Sequence, residues 1–254
     1  MNDLRALLST ADAAQELRRL KSEGELSEAY PLVGTLDFKP VRHKDVFEHS
    51  VRVFENALEL TDGEADDVLR VAALLHDVGK FATRKIERKR VTFQNHDAVG
   101  ASLVRKKLAR YGYSKDEVAL VSTLVRLHMR PHGFKTGWSE SAVRRLARDA
   151  GSLEQVRRLG VLVSADATTK NEKARERFRR DTQELLKAVD AVVEADALAA
   201  RRPALNGHEV MELTGLKPGR ELGGLMKFLN SEEGLVLTKD EATAAVLARV
   251  EPRS

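Results

Sequence analysis

The sequence predicts an all-α fold with one small β excursion, and three observations predict it. Apolar residues recur at three- and four-residue spacing along almost the whole chain, and strict alternation is rare. Ser or Asn precedes several of these runs, where an N-cap belongs, as at Ser114, Ser139 and Ser152. Breakers stand at the ends of runs: Gly79 stops one, and Pro131 with Gly133 ends another.

Taken in order, Leu4, Leu7 and Leu8, then Leu17 and Leu20, mark an opening helix or pair of helices. Val46, Val53, Phe54, Ala57 and Leu58 mark the next. Val68, Leu69, Ala72, Ala73 and Leu75 mark a third, entered through Thr61-Asp62-Gly63. Residues 83–93 have the composition of a β-hairpin or an extended loop. Helical patterns resume over residues 95–111, 114–129, 139–150, 152–168 and 171–199. The boundary is placed after the Ala-rich end of the last run, before Arg201-Arg202-Pro203. Residues 1–200 therefore form the expected main domain. Residues 201–254 form a C-terminal extension of short helices, too small to hold much core alone.

Composition narrows the function. With 254 residues, 42% hydrophobic and 32% charged, the chain is globular. It has no cysteine, which excludes a disulfide scaffold, a thiolate zinc site and a cysteine nucleophile. Aromatics are 5%, which argues against base-stacking platforms of the single-strand-binding kind. No apolar run reaches the roughly 18–20 residues of a membrane span, and the N-terminus lacks a signal-peptide core, so the cytoplasm is expected. Net charge is only +4, but basic clusters stand at Arg84–Arg90, Arg105–Arg110, Arg144–Arg148 and Lys173–Arg180. Such clusters suit a polyanion; the alternative is a set of solvated helix faces.

Six of the seven histidines fall between His43 and His132. His49 shares the apolar face of Val46 and Val53. His76 follows Leu69, Ala72 and Ala73 at seven, four and three residues, and His128 follows Val121, Leu124 and Val125 in the same way. Asp166 follows Leu159, Leu162 and Val163. Three imidazoles and one carboxylate thus point inward on four helices, with Asp77 about 100° round from His76. A buried Asp costs several kcal/mol unless charge or hydrogen bonds offset it. A divalent cation is the economical explanation, since neutral imidazole and carboxylate are its ligands; the alternative is a set of hydrogen-bonded core residues.

The segments HKDVFEHS, AALLHDVGK, QNHDAVGA, LVRLHMRPHG and SADATTKN carry His49, His76-Asp77, His96, His128 and Asp166. This H…HD…D pattern resembles the HD-domain phosphohydrolase superfamily. In order, and with the tail LNGHEVMELTGLKPGRELGGLMKFL, the segments resemble the HD and C-terminal region of bacterial CCA-adding tRNA nucleotidyltransferases. The likeness runs from roughly Glu16 to Val250. The glycine-rich nucleotidyltransferase head of those enzymes has no counterpart in the sequence. CCA addition is therefore not expected of this polypeptide, unless a separate chain supplies the head.

The resemblance implies an HD-type helical bundle and a first metal site of His49, His76, Asp77 and Asp166. It also implies a second ion held by Asp77, His96 and His128; the alternative is one ion, with His96 and His128 on substrate phosphate. The ion is one of Mn, Ni, Co, Fe, Zn or Mg. Asp77, Lys80 and His132 are the candidate catalytic residues. Lys80 would neutralise phosphoryl charge or act as a helix-terminal cation, and His132 would be a general acid, a substrate contact or a loop histidine. Arg84, Arg130, His43, Arg144 and Arg145 are candidate substrate contacts. The expected activity is hydrolysis of 2′,3′-cyclic, 2′- or 3′-phosphate ends of RNA, the tRNA 3′ end included, or of nucleotides. The alternatives are a free-nucleotide hydrolase and a tRNA-binding module without turnover.

Overall fold

A computed structural model of the chain describes residues 3–40, 44–87, 90–169, 171–200 and 202–250. It is all-α apart from one hairpin, in which Lys85–Glu87 pairs antiparallel with Arg90–Thr92, Ile86 opposite Val91. The chain forms two compact units, residues 1–190 and residues 191–254. No helix among the described residues is long and apolar enough to cross a membrane.

In the larger unit the main helices are Val46–Leu60, Asp67–Leu75, His96–Lys107, Lys115–Leu127, Glu140–Ala150 and Leu153–Asp166. Their ends are fixed by side chains that satisfy first-turn amides. Asp45 accepts from the amide of Glu48 at 3.0 Å, and Asp66 from that of Leu69 at 2.8 Å. Ser114 and Glu117 form a reciprocal capping box. The aspartate caps were not among the Ser and Asn signals read from the sequence.

The inward faces build one core. Phe47, Val51, Phe54, Leu74, Leu75, Val121, Val125, Leu162 and Val163 have almost no exposure. Elements before residue 40 close it: Arg18 grips Glu55 through two hydrogen bonds of 2.7 and 3.0 Å, and the Tyr111 hydroxyl accepts from the Leu32 amide at 3.0 Å. Two short helices here, Leu26–Ala29 and Pro31–Gly34, are too brief to register as periodicity.

The long helix Glu172–Ala200 begins in the larger unit and ends in the smaller. The smaller unit contains Gly207–Thr214, Arg220–Leu229 and Lys239–Leu247. It has a core of its own, of Leu205, Val210, Leu216, Leu225, Leu229, Ala242 and Val246.

Candidate metal centre

Two helices end on the histidines that matter. Asp67–Leu75 stops at Leu75, and His76 to Gly79 form a turn. Asp77 therefore sits in that turn, and not on a continuing helix as its 100° offset implied. Lys115–Leu127 likewise stops one residue before His128. Each ring closes its own helix end. His76 Nδ1 donates to the Ala73 carbonyl at 2.9 Å, and His128 Nδ1 to the Val125 carbonyl at 2.7 Å. These carbonyls belong to the last turn, where intrahelical donors run out. His96 opens its helix after Asn95, which takes a left-handed φ of 61°, and its Nδ1 donates to the Phe93 carbonyl at 2.9 Å. A carbonyl only accepts, so all three Nδ1 atoms carry the proton, and Nε2 is the atom each ring turns toward an ion.

Those Nε2 atoms surround Asp77, which is 2% exposed. Its Oδ2 lies 3.4 Å from His49 Nε2 and 3.3 Å from His76 Nε2. Its Oδ1 lies 3.3 Å from His96 Nε2 and 3.9 Å from His128 Nε2. One carboxylate thus serves two histidine pairs, an oxygen to each. Asp166 adds its Oδ1 to the first pair, 3.0 Å from His49 Nε2 and 3.7 Å from His76 Nε2. The Lys80 ammonium reaches Asp77 Oδ2 at 2.5 Å.

The donor set fits divalent cations. His49 and His76 approach Nε2 to Nε2 at 3.3 Å, and His96 and His128 at 3.2 Å. Two ring nitrogens at that separation need a positive charge between them, either a proton shared in a hydrogen bond or a bound cation. Two nitrogens each about 2.1 Å from one ion, at roughly right angles, stand about 3 Å apart. His49, His76 and Asp77 form one group able to hold an ion, and Asp77, His96 and His128 form another.

The electrostatics show the same demand for positive charge. Burial opposes charge on His76, but the Asp77 and Asp166 carboxylates outweigh it and lift the ring to about 9. Burial, then the charge on His76, pushes His128 down to about 4. Burial would raise Asp77, yet His76, His96 and Lys80 hold it well below the usual carboxylate range. Asp166 is also held low, by His132 and His49 against its burial.

Three supports were not read from the sequence. Thr168 Oγ1 lies 3.3 Å from His49 Nδ1 and also takes the Lys44 ammonium at 3.3 Å. Asn56 donates to the Ala165 carbonyl at 2.8 Å, tying the His49 helix to the Asp166 helix. Gly79 packs against Gly100: a Cβ on Gly79 would meet the His96 carbonyl oxygen at 2.0 Å and the Gly100 nitrogen at 2.6 Å. Close main-chain approach of the Asp77 turn to the His96 helix therefore requires glycine at residue 79. The available signal was Gly100, a mid-helix glycine four residues after His96 on the same face. Thr168 lies beyond its helix, where periodicity is silent.

His132 falls in the 3-10 turn Arg130–Thr136, its Nε2 3.7 Å from Asp166 Oδ2, with the Phe178 ring 5.1 Å away. Arg84 is exposed and lies over the Phe38 ring at 5.9 Å. Arg130 pairs with Asp149 at 2.5 Å and Arg144 with Glu140 at 2.7 Å, while Arg145 is exposed. His43 lies outside the described residues. Arg105 turns to Ser122 Oγ at 2.9 Å. Lys107 and Arg110 line a cavity of about 530 Å³ with Glu25, Glu28 and Tyr111, at the opposite end of the helix from His96. Members of the Arg105–Arg110 and Arg144–Arg148 clusters thus have partners within the fold.

Residues 46–201 match the HD domain family, and the chain belongs to it. It is 35% identical, over 96% of its length, to the CC-adding tRNA nucleotidyltransferase of Thermus thermophilus, and 32% identical over 96% to the A-adding tRNA nucleotidyltransferase of Deinococcus radiodurans. It covers 55% and 56% of them, so the chain spans about half the length of these curated relatives. A bifunctional uridylyltransferase/uridylyl-removing enzyme of Ruegeria pomeroyi is 29% identical over 48% of the chain, which covers 15% of that protein.

Proposed function

We propose that this HD-domain chain is a divalent-metal-dependent phosphohydrolase acting on 2′,3′-cyclic, 2′- or 3′-phosphate ends of RNA or nucleotides. The observation that carries the reading is Asp77, whose two oxygens each face a separate pair of histidine Nε2 atoms. In this reading His49, His76, Asp77 and Asp166 hold one ion, and Asp77, His96 and His128 hold a second. A bound divalent ion supplies a water of lowered pKa and positive charge for phosphoryl oxygens. The donors are nitrogen and oxygen without thiolate, a set suited to Mn, Fe, Co, Ni, Zn or Mg.

The chain's own residues supply the rest. Lys80, beside Asp77 and still part-exposed, binds a phosphoryl oxygen and offsets its charge in the transition state. His132 stands at the rim, its side chain 34% exposed, with Asp166 to orient the ring. There it can hold a proton for the leaving oxygen. The relatives named for tRNA favour RNA as the polymer, its 3′ end the natural place for such a phosphate. Exposed Lys173, Arg177, Arg179 and Arg180, on the first turns of the long helix whose Phe178 meets His132, offer a phosphate track.

The test is a panel of 2′,3′-cyclic nucleotides, nucleoside 2′-, 3′- and 5′-phosphates and end-phosphorylated RNA, each with every candidate metal. Hydrolysis of cyclic or 2′/3′-phosphates is expected. It should disappear on chelation, return on metal addition, and fall by more than about 10³-fold in Asp77→Ala with the helical signal intact. Turnover that survives chelation, or cleavage of 5′-phosphates alone, would overturn the reading.

A further inference from the structure

Aromatic side chains are scarce in this chain, yet three of its eight phenylalanines gather at the candidate metal centre. Phe81 follows Lys80 directly and is 61% exposed, unusual for a ring of that size. It meets Phe38 edge to face at 5.7 Å, and Phe38 meets Phe93 at 6.4 Å in the same manner. The cluster is tied to the centre at three points. The Phe93 carbonyl fixes His96 Nδ1 at 2.9 Å. The Phe38 carbonyl accepts from the Val46 amide, the first residue of the His49 helix, at 3.3 Å. The Lys80 ammonium lies at once on Asp77 Oδ2 at 2.5 Å and over the Phe93 ring at 5.5 Å.

Lys80 and Arg84 therefore lie over Phe93 and Phe38, rings grouped with the exposed Phe81, and the bonds that set the candidate ligands hold that group in place. A flat apolar face bordered by cations, a few residues from a candidate phosphoryl site, matches a ligand with a flat π-system and a phosphate on one scaffold.

Building on the hydrolase reading, we propose that Phe81, supported by Phe38, is the surface on which the nucleobase of the substrate stacks, with Arg84 against a neighbouring phosphate oxygen. The substrate class is then a nucleotide or the terminal nucleotide of RNA, not a base-free phosphate ester. Stacking tolerates every base, so the site selects for a base without selecting which one.

The experiment compares adenosine 2′,3′-cyclic phosphate with methyl riboside 2,3-cyclic phosphate, which lacks the base, in wild type, Phe81→Leu and Phe81→Ala. The ratio of KM for the adenosine substrate to KM for the base-free one should rise about tenfold or more in both variants. A ratio unchanged in both would overturn the proposal. The second arm needs no turnover. In a Trp138→Phe background, the fluorescence of Phe81→Trp should be quenched by adenosine 3′-monophosphate and not by inorganic phosphate. Equal response to the two, or to neither, would overturn stacking. Failure of every phosphate in the hydrolysis panel would sink the hydrolase reading, whereas the fluorescence arm still decides whether a base sits on Phe81.

Discussion

The core of the C-terminal unit and the centre around Asp77 are buried to a similar depth by opposite means. Leu205, Val210, Leu225, Leu229, Ala242 and Val246 exclude water with side chains that want nothing but contact. The helices above them are started by capping boxes, Asn206 with Glu209 and Thr238 with Glu241, so their polar ends are satisfied locally. Around Asp77 the buried groups are His76, His96, His128 and the carboxylate itself, none more than 8% exposed. Here burial costs free energy, and partners for charge must offset it. An apolar core is complete once it closes. A polar centre is complete only when its charges balance, and that requirement is what makes it a candidate for chemistry.

Three substitutions sharpen that contrast. The largest effect is expected inside the apolar core. Leu229→Ala should destabilise the smaller unit by about 2–5 kcal/mol, read from denaturant unfolding or hydrogen exchange at Val210 and Ala242. Metal binding at the larger unit should stay unchanged; an altered metal affinity would mean that the two regions are energetically coupled.

Gly79→Ala comes next. Its methyl group would collide with the His96 carbonyl oxygen and the Gly100 nitrogen, main-chain atoms that cannot swing aside. A cost of about 1–3 kcal/mol is expected, with looser metal binding because His96 is pushed from Asp77. Wild-type stability and affinity in this variant would show that the close approach is not needed.

Thr168→Val is the most delicate. It removes the hydroxyl beside His49 Nδ1 and leaves the shape nearly intact. Metal affinity, titrated directly, should weaken about tenfold with thermal stability of the metal-free protein almost unchanged. No change in affinity would mean that His49 is held by the ions and Asp166 alone.

Helix positions and inward residues were legible because both follow from one local geometry. A run that repeats every 3.6 residues declares which side chains share a face, and His49, His76, His128 and Asp166 each sat on an apolar one. That alone placed four polar groups in the interior of four helices. Asp77 was legible through its neighbour, although the turn that carries it was not: the helix ends at Leu75 because His76 spends its Nδ1 on the terminal carbonyl.

The partners of the arginines were not legible in the sequence. Arg130 and Arg144 were read as candidate substrate contacts and Arg105 as part of a basic cluster; in the fold each long side chain also meets an acceptor, respectively Asp149, Glu140 and Ser122. A flexible cation has many reachable positions, and only the folded neighbours decide among them. Thus the sequence by itself determined the helices, their buried faces and the identity of the inward imidazoles and carboxylates, all consequences of spacing along one chain. Tertiary structure alone decided that Asp77 divides its two oxygens between two histidine pairs, that Gly79 meets Gly100, and that Phe81 is left in the open beside Lys80. These are contacts between residues distant in sequence, and no periodicity records a distance across the core.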